Sequence, residues 1–238
     1  HGCKDSKPAA HVLCPAVNCI RSGKIHLIMS NTDKISKPAV GICLAAVLWT
    51  IMFSPWTAPH INFWAMMTCS GALLTLYSTW AAPGWWKDIR IGLSDILIGT
   101  ALAAALWGIF WLGDFLSSLM FDFARPQVDS IYGMKEGSNP LILSLLLLFI
   151  IGPAEEIFWR GYIQKHLSLR WNPNMGFIVT TLVYSLVHLA KFNFMLIMAA
   201  AVAGFIWGLA YRFFPERLGA LIISHALWDC AVFIWFPI

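Results

Sequence analysis

Charge is what this sequence has least of. Only 12% of its 238 residues are charged and 59% are hydrophobic, with a mean hydropathy of +0.70. No ordinary soluble domain has that balance, so an integral membrane protein remains. The apolar segments also lack the alternation of a transmembrane barrel. They are long and continuous, and spanning backbone must satisfy its own hydrogen bonds, so the fold expected is all-α, a polytopic transmembrane helical bundle. The net charge of +4 sits at the ends of those segments, where it reports topology rather than nucleic-acid binding.

A cysteine framework is missing as well. Cys3, Cys14 and Cys19 lie in the first twenty residues, while Cys43, Cys69 and Cys230 lie inside apolar segments, where small residues let helices approach. The spacing of the first three with His11 matches no compact zinc pattern, so neither a disulfide nor a metal is expected. There is no internal repeat and no low-complexity tract, which leaves one transmembrane domain, residues 38–238, behind a polar N-terminal segment, residues 1–37. Met29 opens a short polar run leading into the first apolar segment and reads as the natural start, so residues 1–28 are expected not to be native. They are too basic, with apolar stretches too short, for a cleaved signal peptide.

Apolar segments run over residues 38–56, 61–81, 91–112, 140–166, 174–191, 193–212 and 218–237. Each is near the roughly 20 residues needed to cross a bilayer, giving about seven spans. Lys34 and Lys37 precede the first, and Lys87 with Arg90, Lys165 with Arg170, and Arg212 with Arg217 follow the second, fourth and sixth. Those connections are expected in the cytoplasm, and the net acidic stretch 113–140 on the other side. Residues 38–112 hold almost no polar group able to do chemistry. Asp95, with Ser94, is expected to cap the third helix.

The ionisable residues at membrane depth gather in the last hundred positions. Pro153-Ala-Glu-Glu-Ile-Phe-Trp-Arg160 puts two carboxylates directly after an apolar run, at a depth where each costs at least roughly 2.5–3.5 kcal/mol and a functional role is the default reading. Each helical residue turns about 100°, so Glu156 and Arg160 share a face and form a structural pair, while Glu155 points away. Glu155 is the carboxylate left to move a proton. Tyr184 and His188 lie one turn apart on the fifth span, and His225 and Asp229 on the last. At about 1.5 Å per residue, Glu155, His188, His225 and Asp229 lie roughly 16, 21, 10 and 16 Å from the cytoplasmic ends of their spans. Helices running in opposite directions bring these four to one level among the helices of the C-terminal half. Gly152-Pro153 is expected to kink the fourth span, and His26, His60 and His166 to lie at interfaces.

Glu155-Glu156-x-x-x-Arg160, then Tyr184-x-x-x-His188, then His225-x-x-x-Asp229, all on membrane helices and in this order, resemble the CPBP family of intramembrane glutamic endopeptidases. This is the family of CAAX-processing and bacteriocin-related proteases, also called Abi. The resemblance covers residues 140–235, the catalytic half, where the active site is expected. Tyr184 stands where Phe is usual, and Asp229 where the CAAX-processing members carry Asn. The resemblance implies hydrolysis of a peptide bond in a membrane-associated or lipidated peptide. Glu155 and His188 activate a water, and His225 with the residue at 229 stabilises the oxyanion. No cofactor, metal or nucleic acid is implied. An ionised Asp229 would repel the oxyanion, so either it is protonated at this depth or, as the i to i+4 spacing permits and as is expected of it, it orients His225 as a hydrogen-bond acceptor. A zinc protease is an alternative, although His-Glu-x-x-His is absent; a proton-coupled transporter or a scaffold is another. The expected setting is the plasma membrane of a prokaryote, with the active site nearer the cytoplasmic side.

Overall fold

The computed structural model describes residues 33–238. The readings of Met29, of residues 1–28, of Cys3, Cys14 and Cys19 with His11, and of His26 lie outside those residues. The described residues form helices and no strand: α1 (Asp33–Phe53), α2 (Phe63–Ala81), α3 (Leu93–Met120), α4 (Ala124–Tyr132), α5 (Pro140–Arg170), α6 (Pro173–Lys191), α7 (Phe194–Phe213) and α8 (Pro215–Trp235).

Local sequence sets where these helices begin. Asn62, Asn139, Asn172 and Asn193 accept from the backbone N–H of Ala65, Leu141, Met175 and Leu196 at 2.9–3.0 Å, capping α2, α5, α6 and α7. Each such cap contributes about 1 kcal/mol. Pro140 and Pro173 follow two of them in the first turn, where a missing N–H costs nothing. Asp95 accepts from the Gly92 N–H at 3.0 Å and so closes the start of α3 as expected. Ser94 takes no part in that cap. Its hydroxyl accepts from Arg217, which also pairs with Asp95 at 3.0 Å.

Six of these helices are long and apolar enough to cross a membrane, the make-up of a multi-pass integral membrane protein. The second of the seven expected segments is helical but falls outside that set. Hydroxyls dilute its apolar character. Thr68, Ser78 and Thr79 each bond to the carbonyl four residues back, at 2.8–2.9 Å. A hydroxyl with a partner on its own helix needs none from a neighbour.

The fourth segment departs from a kinked α-helix. Leu147–Ile151 and Ile157–Gln164 are wound as π-helix around one α-helical turn, Gly152–Glu156. Pro153 lacks an N–H and its ring crowds the carbonyl one turn back, and wider turns relieve that conflict without a break. Helix α8 lies along α3 and crosses α5, α6 packs on α7, and α1 and α2 pack on α5. At the crossing with α5 the backbones touch: a Cβ on Gly152 would lie 2.8 Å from Cα of Ala226.

The charged connections sort onto two faces. Lys87, Arg90, Lys165 and Arg212 line one groove, and Lys165 pairs with Asp88 there. On the opposite face α4 and its flanks are tied down. Arg125 bonds to the Ile238 carbonyl at 3.2 Å, Lys135 to the Phe233 carbonyl at 2.6 Å, and Asn193 to the Gln127 carbonyl at 2.8 Å.

Candidate active site

The α-helical turn between the two π-helical stretches of α5 carries both glutamates and sends them to different surroundings. Glu156 is fully buried, and its Oε1 accepts from Nη1 of Arg160 at 2.7 Å. The same oxygen lies 2.8 Å from Nδ1 of His225. Arg160 reaches further. Its Nη2 donates to the Gly204 carbonyl at 3.3 Å, and its guanidinium lies 5.0 Å from the Tyr184 ring and 5.6 Å from the Trp207 ring. Arg suits such a seat, because its planar fork bonds in several directions while its faces stack on aromatic rings.

Glu155 faces the other way. Its Oε2 accepts from the Tyr184 hydroxyl at 2.9 Å. Tyr184 is held in place by the absence of a side chain opposite it, since a Cβ on Gly204 would come within 2.9 Å of its ring. A Phe at 184 would give Glu155 no such donor.

His188 lies in the 3-10 turn, Val187–Lys191, that ends α6. Its Nδ1 is 2.8 Å from the Tyr184 carbonyl, and Nε2 accepts from the indole N–H of Trp49 at 3.2 Å. His225 stacks on Trp207 with ring centroids 4.0 Å apart, and the Trp207 N–H donates to Ser224 at 3.0 Å.

The expected pairing of His225 with Asp229 is not the tight one. Nε2 of His225 and Oδ2 of Asp229 are 3.5 Å apart, beyond a well-formed hydrogen bond, whereas Glu156 holds Nδ1 at 2.8 Å. The cause is the close crossing of α5 and α8 at Gly152 and Ala226, next to His225 in the chain. Glu156 thereby orients two side chains, one on its own helix and one on α8.

Glu155, Tyr184, His188, His225 and Asp229 line one cavity of about 420 Å³. Glu156 and Arg160 stand behind its wall. The remaining lining is mostly apolar, with Phe53 from α1, Met67 from α2, Phe110 from α3 and Met198 from α7. From the glutamate the cavity extends past Asp114 and Ser117 to Tyr132, Met134 and Ile238, the face opposite the basic groove. His60 and His166 are not part of its lining.

Two contributors escaped the sequence reading, Trp49 and Trp207. A signal existed for both. A buried indole N–H favours an acceptor, so a Trp in the middle of a span is a weak pointer to a polar partner, and the indole N–H groups of Trp159 and Trp228 have none.

Residues 137–231 match the family model described as type II CAAX prenyl endopeptidase, Rce1-like. All three motifs fall within the match. No curated protein and no solved structure matches the chain.

Proposed function

We propose, from the match to the CAAX-type intramembrane endopeptidases, that this protein hydrolyses a peptide bond with a water activated by Glu155 and His188. One observation carries the reading: Glu155, Tyr184, His188, His225 and Asp229, from three spans, converge on one mostly apolar cavity. A base must come within about 3 Å of the water it deprotonates, and donors aimed at developing charge act most strongly where bulk water is excluded.

Glu155 takes a proton from water as its oxygen adds to the carbonyl carbon, and the carbonyl oxygen becomes the oxyanion. His225 donates to that oxyanion from Nε2 while its Nδ1–H stays on Glu156, so the working imidazole carries both protons. Asp229 stands beside Nε2 at 3.5 Å, while Glu156 sets the orientation of the ring. Glu155 then passes its proton to the leaving nitrogen as the C–N bond breaks. Tyr184 steadies the carboxylate through its hydroxyl.

The catalytic half is 140–235 of a single membrane domain, and the substrate is a membrane-associated or lipidated peptide, consistent with the apolar walls of the cavity. With the basic connections in the cytoplasm of a prokaryote, the lining reaches from the glutamate to the opposite face. Substrate then approaches from that face. A zinc mechanism is the alternative, although the sequence lacks His-Glu-x-x-His. Cleavage that persists in strong chelators separates the two mechanisms.

The deciding experiment is an unbiased peptide-cleavage profile of the purified protein beside Glu155→Gln. We expect the variant to lose about 10²–10⁴ in kcat with its fold intact in detergent. Undiminished cleavage overturns the reading. No cleavage by either protein favours a transporter or scaffold.

A further inference from the structure

One polar contact at the site comes from outside residues 137–231. Trp49, on α1, is fully buried, and its Nε1–H points at Nε2 of His188 at 3.2 Å. The two rings meet edge to face, with centroids 6.2 Å apart and planes at 84°. One turn along the same helix, Phe53 packs on the imidazole at 5.5 Å.

An indole nitrogen only donates and a backbone carbonyl only accepts. The Tyr184 carbonyl beside Nδ1 therefore requires the proton on Nδ1, and Trp49 requires the lone pair on Nε2. Two neighbours on two helices select the same neutral tautomer. Trp49 does not line the cavity, whereas His188 does, so the indole acts on the imidazole from behind.

We propose that Trp49 is a positioning residue that fixes His188 as the Nδ1–H tautomer and holds its ring in place by engaging the Nε2 lone pair, which the reacting water receives by displacing the indole N–H. The catalytic part of this statement rests on the proposed function; the hydrogen bond does not. At 3.2 Å the contact is at the long end of the hydrogen-bond range, so a water arriving from the cavity competes with it on favourable terms. Helix α1 is then part of the active site, and residues 140–235 alone are an incomplete enzyme.

The test uses the full chain labelled with ¹⁵N. In the wild type we expect a nitrogen–nitrogen coupling across the Trp49–His188 hydrogen bond and a single Nδ1–H pattern for His188. Trp49→Phe keeps a ring and removes the donor. It should abolish the coupling, mix the His188 tautomers and lower kcat about tenfold with KM nearly unchanged, as expected when a catalytic group loses its aim. Trp80→Phe, at an exposed position on α2, should change none of these. Absence of the coupling in the wild type overturns the proposal, and this measurement decides even if Trp49→Phe fails to fold. A folded Trp49→Phe with unchanged kcat overturns the positioning role. If the wild type cleaves no peptide, the proposed function and the catalytic role of Trp49 fall together, while the coupling still decides the hydrogen bond.

Discussion

Helices α3 and α8 lie side by side, yet 17% of the most apolar stretch of α3 is buried inside the protein against 67% for α8. Their ionisable residues follow that difference. In α3 they sit towards the ends, Asp95 at the start with Arg217 and Asp114 in the last two turns with Arg125. In α8, His225 and Asp229 sit in mid-helix, enclosed by α5 and α7. A helix facing lipid offers no partner at depth, so its charges are confined to where water or a loop reaches. An enclosed helix can hold a charge at depth, provided its neighbours supply the complement.

Breaking that complement gives the largest effect on stability. Glu156→Gln removes the carboxylate that Arg160 and His225 share and leaves a buried guanidinium uncompensated. A loss of about 3–5 kcal/mol is expected, read from unfolding of the purified protein. Asp114→Asn at the half-exposed Arg125 pair should shift stability by less than about 1 kcal/mol. Equal losses at the two sites would remove the distinction between the two helices.

Glycine positions probe the same contrast with the sign reversed. Gly152→Ala drives a Cβ into the Ala226 backbone and should cost about 1–3 kcal/mol. It also separates His225 from Glu156, so kcat should fall with it. Gly108→Ala in α3 meets nothing within 4 Å and should stabilise by about 0.4–1 kcal/mol, because alanine restricts the unfolded chain. Parallel thermal melts of the two variants measure both.

Much of the site is legible in the sequence because helical spacing is a local property. The Glu156–Arg160 pair, the different directions of the two glutamates, and the Tyr184–His188 turn all follow from 100° per residue. What fails is choice of partner across helices. His225 and Glu156 are 69 residues apart, and Trp49 and His188 are 139 apart. Local geometry offers His225 only Asp229, while a backbone crossing at a glycine supplies a nearer acceptor. The span count differs by one at α2, whose hydroxyls lower its mean hydropathy and are satisfied on their own helix.

Asp229→Asn is a smaller perturbation than either enclosed-helix change. At 3.5 Å the carboxylate is not the group that orients His225, and asparagine keeps its shape and an acceptor oxygen. We expect kcat within about threefold of wild type and unchanged stability, whereas Glu156→Gln loses activity with its fold. A loss comparable to that of Glu155→Gln would return Asp229 to the catalytic machinery.

The smallest effect belongs to the lipid face of α3. Leu97 is 62% exposed, pointing away from α8 and the bundle. In a soluble protein a leucine gains by leaving water, but lipid chains are as apolar as leucine, so a lipid-facing side chain gains nothing further when the helices associate. It leaves no cavity when shortened, since lipid fills the space. Leu97→Ala should therefore change stability by less than about 0.5 kcal/mol, measured by reversible unfolding in bicelles. A larger loss would mean that this face of α3 packs against protein, and that its scarcity of charge has a cause other than lipid.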